Sequence, residues 1–298
     1  MKYRTLKRAN LSVSEIGLGC MSLEEDHAQN ERILRSAYEG GINLFDTADI
    51  YQNGFNEESA GKALKPFRKK VIIATKVGNV PNTEGNGLIW NPSKSHILKS
   101  VEGSLKRLKT DYIDIYQLHG GTIEDNWEET TEAFEQLKQE GKIRHYGLSS
   151  IRPNVIKRFA KQTNIVSDML QYNLLDRRAE EEVLGMLEEQ GVGVLVRGVL
   201  AKGVLAQKNR SVNLDNNKEP IDILIDKMKS FSIEKNTISQ LAIQWVLSYS
   251  SVTSALVGVR TLDQLKDVLG VHDLPEMTHE VYRELSNIIP VERYTNHR

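Results

Sequence analysis

The stretch NLFDTADIY, residues 43–51, contains a short apolar run that ends on an aspartate and is followed five residues later by a tyrosine. Two later stretches have the same form: VIIATK, residues 71–76, ends on a lysine, and YIDIYQLH, residues 112–119, ends on a histidine. Because the carboxyl ends of parallel barrel strands share one rim, we expect these ionisable side chains to meet there. The four side chains are Asp46, Tyr51, Lys76 and His119.

The composition is typical of an ordinary soluble globular protein. The chain has 298 residues and a net charge of −1, so nothing draws it as a whole to nucleic acid or to an anionic membrane. Cys20 is the only cysteine, which excludes an intramolecular disulfide and fits a reducing compartment. The N-terminus is too polar for a signal peptide, and no apolar run approaches the ~20 residues of a membrane span. We therefore expect a cytoplasmic protein, either a monomer or a weak homo-oligomer.

Strand-like and helix-like segments alternate along the chain. Residues 3–15 predict a β-hairpin, and residues 278–289 predict an additional C-terminal helix. Between them lie eight strands separated by helices, which is the order of a parallel α/β sheet. Eight units of about 37 residues predict a closed (β/α)8 barrel, the TIM barrel, in a single domain spanning residues 1–298. The predicted strands are residues 16–19, 43–48, 71–76, 112–119, 143–149, 168–172, 192–197 and 252–257.

Two stretches interrupt this alternation and predict long loops. Residues 77–92 are rich in Gly, Asn and Pro and contain Trp90, whereas residues 207–220 are almost entirely polar and are followed by a predicted helix. Loops of this length in a compact domain are often functional. We expect both loops, together with residues 122–127, to determine substrate specificity, with Trp90 as an apolar wall of the substrate pocket.

The four ionisable side chains suit the protonation of a carbonyl oxygen. A tyrosine hydroxyl has a pKa of roughly 10, and a neighbouring ammonium such as that of Lys76 stabilises the phenolate and lowers this pKa. Tyr51 would then be the general acid, Asp46 would keep Lys76 charged, and His119 would orient the substrate carbonyl by a hydrogen bond. No side chain donates hydride, so a cofactor must supply it. The histidines show no metal-ligand spacing, and no metal is expected.

Seven short motifs occur in order along the chain. They are GLGCM (17–21), FDTADIY (45–51), ATK (74–76), DYIDIYQLH (111–119), GKIR (141–144), YGLSS (146–150) and QYN (171–173). In this order and at these intervals they resemble the aldo-keto reductase superfamily over essentially the whole chain, and most of all its bacterial general-stress or sugar-type branch. The resemblance implies an NAD(P)H-dependent reductase of aldehydes or ketones with the tetrad named above. We expect Tyr51, Trp90 and His119 to lie against the substrate.

The resemblance also implies a cofactor that lies across the barrel rim. Ser149 and Gln171 would hold the nicotinamide carboxamide, with Ser150 where the family often has asparagine, and Arg197 stands where an aromatic residue often stacks under the nicotinamide. The residues implied at the pyrophosphate are Gly198, Leu200, Lys202 and Gly203, and those implied around the adenosine ribose are Gly258, Arg260, Gln264 and Asp267. Cys20, Met21 and Asp46 complete the implied cofactor site.

The Arg260 guanidinium favours NADP(H), because its planar fork matches the oxygens of a 2′-phosphate. NAD(H) stays possible, since Gly258 and Val259 stand where the family has a Lys-Ser pair near that phosphate. The sequence thus indicates an NADP-dependent aldo-keto reductase. Two other classes stay open: a non-catalytic, nucleotide-binding regulatory subunit and, less favoured, a lyase or isomerase barrel that uses Lys76 as a Schiff-base amine.

Overall fold

The structure is a computed structural model that describes residues 1–83, 85–206, 218–232 and 237–298. Its strands are β1 (Tyr3–Leu6), β2 (Leu11–Ser14), β3 (Ile16–Gly19), β4 (Leu44–Asp46), β5 (Ile72–Val77), β6 (Asn79–Pro81), β7 (Leu88–Trp90), β8 (Ile113–Leu118), β9 (Ile143–Leu148), β10 (Ser167–Gln171), β11 (Gly193–Arg197) and β12 (Val252–Val257). Its α-helices are α1 (His27–Glu39), α2 (Phe55–Leu64), α3 (Lys94–Leu108), α4 (Trp127–Gln139), α5 (Pro153–Gln162), α6 (Val183–Glu189), α7 (Lys218–Phe231), α8 (Ile238–Leu247), α9 (Leu262–Leu269) and α10 (His279–Ser286).

Eight of these strands form a closed parallel barrel in the order β3-β4-β5-β8-β9-β10-β11-β12, and β12 pairs back with β3. The (β/α)8 prediction is therefore confirmed, and each predicted barrel strand agrees with the structure to within two residues at either end. The antiparallel β1–β2 hairpin precedes the barrel and α10 follows it, as predicted. No helix in the described part of the chain is both long enough and apolar enough to cross a membrane.

An apolar plug fills the barrel on the side away from the predicted site. Leu6 and Val13 of the N-terminal hairpin pack with buried side chains of the barrel strands, among them Leu44 and Ile72. Because side chains alternate along a strand, the face of β4 and β5 that starts on these apolar residues ends on polar ones at the opposite rim. The polar side chains at this rim therefore lie next to a buried apolar layer inside the barrel.

The prediction of one long loop over residues 77–92 is wrong, because part of this stretch forms two strands. Within this stretch β6 and β7 pair as an antiparallel hairpin, with Val80 opposite Ile89. β-branched residues favour such a cross-strand pair. Gly78 and Gly87 precede the two strands with φ of 124° and 97°, so glycine allows the chain to turn into each strand. The glycine-rich composition therefore marked turns at the ends of a hairpin.

Only part of the predicted loop over residues 207–220 can be compared with the structure. Residues 207–217 lie outside the described residues, whereas α7 already begins at Lys218. The sequence pattern predicts a start at about residue 221 for this helix, which is three residues late. Pro220 lies in the first turn of α7, where proline is tolerated because the backbone N–H groups there have no helical partner.

The sequence pattern of residues 179–190 predicts one continuous helix, and the structure differs from this prediction. The structure has a 3₁₀ turn at Arg178–Glu180 and then the shorter helix α6. Glu182 separates the two with φ of −151° and ψ of −27°, a conformation outside the helical region.

Candidate active site

The structure brings the four predicted residues together at the carboxyl end of the barrel. Asp46 is the last residue of β4, Lys76 is the penultimate residue of β5, and His119 directly follows β8. These three strands are neighbours in the barrel. Tyr51 lies in a 3₁₀ turn between β4 and α2. The side chains converge because each lies at the end of a strand on this rim or in the turn that follows one.

Lys76 lies at the centre of the site, and its side chain is 1% exposed. Its Nζ is 2.7 Å and 2.8 Å from the two carboxylate oxygens of Asp46 and donates to the Thr47 carbonyl oxygen at 2.6 Å. The same Nζ is 3.4 Å from the hydroxyl oxygen of Tyr51. The ammonium therefore connects the carboxylate to the tyrosine hydroxyl.

The imidazole of His119 packs edge-on against the ring of Tyr51. The two ring centroids are 6.0 Å apart, and the ring planes meet at 82°. The backbone of His119 is fixed on both sides: its N–H donates to the Val77 carbonyl at 2.7 Å, and its own carbonyl accepts from Asn79 Nδ2 at 2.7 Å. The imidazole is thus held beside the tyrosine by β5 and by the hairpin that follows it.

Burial and nearby positive charge lower the pKa of His119 to about 3, the charges being those of Lys76 and Arg197. The ring is therefore neutral at pH 7 and carries one N–H donor and one acceptor nitrogen. A neutral imidazole can donate a hydrogen bond to a carbonyl oxygen without giving up its proton.

The Tyr51 hydroxyl stays protonated. Burial raises the pKa of Tyr51 above its ordinary value, and the opposing pull of Lys76 is smaller. The downward pull predicted for Lys76 is therefore present, but burial outweighs it. For Lys76 itself, burial lowers the pKa, yet Asp46 and Tyr51 together raise it above the ordinary value, so the ammonium stays charged. The site combines a fixed cation with a neutral hydroxyl.

The side chains predicted at the nicotinamide end of the cofactor lie on the adjoining strands. Ser149 and Ser150 are buried just after β9. Gln171 and Arg197 are direct neighbours across β10 and β11, and Arg197 Nη1 donates to Gln171 Oε1 at 3.2 Å. The amide nitrogen of Gln171 donates to Asp176 Oδ2 at 2.8 Å. These residues border the rim next to the tetrad.

The residues predicted at the pyrophosphate form a tight turn after β11. Gly198 has φ of 70°, and Ala201, Lys202 and Gly203 have φ of 45°, 56° and 92°. Left-handed backbone is uncommon for residues other than glycine, so Ala201 and Lys202 carry local strain. Leu200 is half-buried and Lys202 is exposed.

The residues predicted around the ribose differ from one another in their surroundings. The Arg260 side chain is exposed beside the N-terminus of α9, and its backbone N–H donates to Gln264 Oε1 at 2.9 Å. Asp267 Oδ1 instead accepts the Thr237 hydroxyl at 2.8 Å. Gly258 allows a close approach, because a Cβ there would lie 2.2 Å from Ser22 Oγ.

Cys20 and Met21, which are also predicted at the cofactor, differ in how exposed they are to solvent. Cys20 is fully buried, and burial raises the pKa of its thiol far above the ordinary value, so it packs in the core as a neutral side chain. Met21 is 69% exposed, which is unusual for a large apolar residue.

Trp90 connects the two segments predicted to line the substrate pocket. Its indole N–H donates to both carboxylate oxygens of Asp125, at 2.9 Å and 3.0 Å. Its ring covers Gly78 and Gly120, where an added Cβ would lie 2.7 Å and 3.1 Å from ring carbons. The hairpin of β6 and β7 is thereby fixed beside the loop after β8.

Two buried polar residues next to the site were not predicted from the sequence. Asn56 and Glu57 are fully buried in the first turn of α2. Thr75, the neighbour of Lys76, donates to Glu57 Oε1 at 2.6 Å, and Arg107 Nε donates to Glu57 Oε2 at 2.6 Å. Their only signal in the sequence was a pair of polar residues immediately after the tyrosine turn, a pattern equally typical of an exposed helix start.

Residues 15–290 match the family model described as Aldo/keto reductase family. The chain belongs to the aldo-keto reductase family. It is 43% identical over 317 residues to the uncharacterized oxidoreductase YqkF of Bacillus subtilis (strain 168), covering 100% of both chains. It is 32% identical over 291 residues to the aldo-keto reductase YhdN of the same organism, covering 89% of this chain and 87% of YhdN.

Solved structures agree with this assignment. The holo form of aldo-keto reductase AKR11C1 from Bacillus halodurans is 44% identical, with a TM-score of 0.93 over 100% of this chain and 99% of that one. The glycerol dehydrogenase AKR11B4 from Gluconobacter oxydans is 26% identical, with a TM-score of 0.84 over 96% of this chain and 94% of that one. Family membership makes this aldo-keto reductase an oxidoreductase, in a family that uses nicotinamide cofactors and acts on small carbonyl compounds.

Proposed function

We propose that this aldo-keto reductase uses NADPH to reduce aldehydes or ketones to alcohols, with Tyr51 as the general acid. The observation that carries the proposal is the position of Lys76 Nζ, 2.7 Å from an Asp46 carboxylate oxygen and 3.4 Å from the Tyr51 hydroxyl. An ammonium held there stabilises the phenolate that forms when Tyr51 gives its proton to the substrate oxygen.

The remaining groups have separate tasks. Asp46 keeps Lys76 charged and aimed at Tyr51, because both carboxylate oxygens lie within 2.8 Å of the ammonium. His119, neutral at pH 7, donates a hydrogen bond that orients the substrate carbonyl. Because the groups are fixed before substrate arrives, little reorganisation opposes the proton transfer.

The residues at the rim fit a dinucleotide. Met21 presents a large apolar surface that a flat ring can cover. Polar atoms are provided by Ser149, which directly follows β9, and by Gln171 at the end of β10. Gly258 lets Ser22 pack against the backbone at this end of the rim, and Gly198 turns the chain after β11 with a φ of 70°. Such a cofactor supplies the hydride when bound.

The preference for NADPH rests on Arg260. Its guanidinium is exposed beside the N-terminus of α9, where Thr261 caps the helix by accepting a hydrogen bond from Gln264 N at 3.2 Å. The start of a helix favours anions, and the guanidinium adds a full positive charge. Together they favour a 2′-phosphate, which NADH lacks.

The same contacts weigh against the Schiff-base alternative. An amine must be unprotonated to attack a carbonyl, but Lys76 is buried, its pKa is raised, and its Nζ has oxygen partners from three residues. The remaining alternative, a regulatory subunit without activity, predicts cofactor binding without turnover.

Carbonyl reduction by wild-type protein and by Tyr51→Phe tests the proposal, followed as NADPH oxidation with a panel of aldehydes and ketones. Tyr51→Phe should lower kcat by ~10²–10⁴-fold, because only the transferable proton is lost. Its Kd for NADPH should stay unchanged. Tyr38→Phe is the matched control and should behave as wild type, because Tyr38 stacks on Phe67 between helices.

Two outcomes would contradict the proposal. Wild-type turnover by Tyr51→Phe would exclude this tyrosine as the acid. Tight NADPH binding without turnover of any carbonyl compound by the wild-type protein would favour the regulatory subunit.

A further inference from the structure

Asn56 is a fully buried polar side chain that the proposed chemistry leaves without a task. All of its polar atoms are nevertheless in use. Its Oδ1 accepts the hydroxyl of Thr47 at 2.7 Å, and its Nδ2 donates to the carbonyl of Cys20 at 2.8 Å and to Oε1 of Gln52 at 3.3 Å. One amide therefore joins the end of β3, the end of β4 and the turn before α2.

The bond to Thr47 acts next to the ammonium. Thr47 directly follows Asp46, and its carbonyl oxygen accepts from Lys76 Nζ at 2.6 Å. Its backbone N–H donates to the Ala74 carbonyl at 2.9 Å. With the hydroxyl held by Asn56, Thr47 is fixed at three points, and the oxygen on which Lys76 rests cannot shift freely.

The bond to Gln52 acts next to the tyrosine. Gln52, Asn53 and Gly54 follow Tyr51 with φ of 51°, 52° and 92°. Left-handed backbone at two successive residues other than glycine is unfavourable and persists only where contacts hold it. Gln52 is held twice, because Asn56 donates to its Oε1 and its own Nε2 donates to the Leu23 carbonyl at 2.7 Å.

We propose that Asn56 is a positioning residue that sets the Tyr51 hydroxyl against the Lys76 ammonium by fixing the residues after Asp46 and after Tyr51. It touches neither substrate nor cofactor in this role. The inference rests on the proposed function of Tyr51 as the general acid. Since a shift of about 1 Å in a reacting group can cost 10²-fold in rate, a support at this place governs turnover.

Asn56→Leu tests the role, because leucine has a similar size but cannot form the three hydrogen bonds. We expect kcat to fall by about ten- to a hundredfold. The Kd for NADPH and the KM for the carbonyl substrate should stay within about threefold of wild type, because in this role Asn56 touches neither ligand. Turnover is measured well below the unfolding midpoint of each variant, which is determined separately by thermal unfolding.

Asn30→Leu is the matched control. Asn30 is also fully buried, and its Nδ2 donates to the Glu24 carbonyl at 2.7 Å and to Ser59 Oγ at 3.2 Å, but it bonds to nothing between residues 46 and 54. Its loss should lower the unfolding midpoint as the Asn56 variant does, while kcat stays within about twofold of wild type.

The Thr47 hydroxyl provides a second, independent variant pair. Thr47→Val removes the donor to Asn56 and should lower kcat, whereas Thr47→Ser retains the hydroxyl and should restore it. The double variant Thr47→Val/Asn56→Leu should be no slower than Asn56→Leu alone, because both changes break the same support. If Asn56→Leu does not fold, the comparison of Thr47→Val with Thr47→Ser carries the test.

Including Tyr51→Phe in the series shows whether the assignment of the general acid fails or only the positioning role of Asn56. Wild-type turnover by Tyr51→Phe would overturn the proposed acid and this role with it. An inactive Tyr51→Phe with wild-type kcat in Asn56→Leu would overturn the positioning role alone. So would a loss of NADPH affinity equal to the loss of kcat, because Asn56 would then support the cofactor site.

Discussion

The two sides of the barrel rim differ in how completely their charged groups are already paired. On the side formed by β4, β5 and β8, Lys76 is buried and has oxygen partners from Asp46, Thr47 and Tyr51. On the side formed by β11, β12 and the segments after them, Arg197 and Arg260 are exposed. The first arrangement is complete within the chain, whereas the second presents its charges to solvent.

This difference matches two separate tasks. Groups that act on a transition state gain most when they are fixed in advance, since no reorganisation is then needed at the moment of reaction. Groups that bind an exchangeable ligand gain most when their own bonding capacity is left for that ligand. We therefore expect substitutions on the paired side to affect kcat and stability, and substitutions on the open side to affect cofactor affinity.

Lys76→Met should have the largest effect, because it breaks the centre of the paired side. It removes the cation that stabilises the phenolate of Tyr51, so kcat should fall by ~10²–10⁴-fold. It also leaves the Asp46 carboxylate buried without its cation, which costs about 3–5 kcal/mol of unfolding free energy. Steady-state kinetics and urea unfolding measure the two losses.

A second variant separates the two effects of this change. Lys76→Met/Asp46→Asn should regain much of the stability, because no buried charge is left unpaired, but it should stay inactive. Full activity in Lys76→Met, or recovery of activity in the double variant, would show that the ammonium has no part in the chemistry.

The paired side was the easier one to predict from the sequence. Asp46, Lys76 and His119 each stand at the end of a strand-like apolar run, so a local pattern and the shared rim of a parallel barrel suffice to bring them together. The same reasoning, based on alternating strands and helices, predicted the eight-stranded barrel. These features depend on short-range periodicity, which a single sequence displays directly.

What the sequence did not reveal depends on tertiary environment. Asn56 and Glu57 look like solvent-exposed residues at the start of a helix, and only the packing of α2 against the barrel buries them. The net rise in the pKa of Tyr51 depends on how far burial outweighs the pull of Lys76, a balance that no motif encodes. In residues 77–92 the glycines concealed a hairpin, because the same residue types serve loops and strand turns.

Arg260→Ala should have the next largest effect, now on the open side. A charge-assisted hydrogen bond is worth ~1.5–3 kcal/mol, so NADPH should bind about ten- to a hundredfold more weakly. NADH should barely change, because it lacks the 2′-phosphate. Tryptophan fluorescence quenching measures both dissociation constants.

Lys99→Ala, an exposed lysine on α3, controls for the loss of one positive charge and should leave both constants unchanged. An equal loss of affinity for NADPH and for NADH in Arg260→Ala would mean that Arg260 does not bind the 2′-phosphate. A wild-type preference for NADH would mean the same.

Asp49→Asn should have a moderate effect that depends on pH. Burial, followed by the nearby Glu57 carboxylate, raises the pKa of Asp49 from its ordinary value of 3.8 to about 7. The unfolded chain therefore releases this proton at lower pH than the folded chain, and the folded state loses stability as the pH rises from about 4 to about 7. Asparagine cannot ionise, so the folded variant does not lose this stability as the pH rises.

The variant should therefore be more stable than wild type by about 1–2 kcal/mol at pH 8, with the advantage shrinking towards pH 5. Urea unfolding at several pH values checks this. An advantage that is constant across this range would show that the Asp49 carboxyl does not titrate there. A stabilised variant would also show that the paired side contains strain that is unrelated to its ion pair.

Trp90→Phe should have the smallest effect, because Trp90 packs beside the ends of β5 and β8 but touches no residue of the tetrad through a hydrogen bond. Phenylalanine keeps an aromatic ring against the glycines beneath it but loses the indole N–H that binds Asp125. A hydrogen bond to a carboxylate is worth roughly 1.5–3 kcal/mol when fully formed, and less at this half-buried site. The hairpin of β6 and β7 should therefore loosen without unfolding.

We expect the KM for bulky carbonyl substrates to rise about threefold while kcat stays unchanged. This is the behaviour of a pocket wall that binds the ground state and the transition state equally well. Asp125→Asn should act in the same direction, because it weakens the same contact from the other end. A fall in kcat as large as that of Lys76→Met would instead place Trp90 among the groups that act on the transition state, and its role as a wall of the substrate pocket would be wrong.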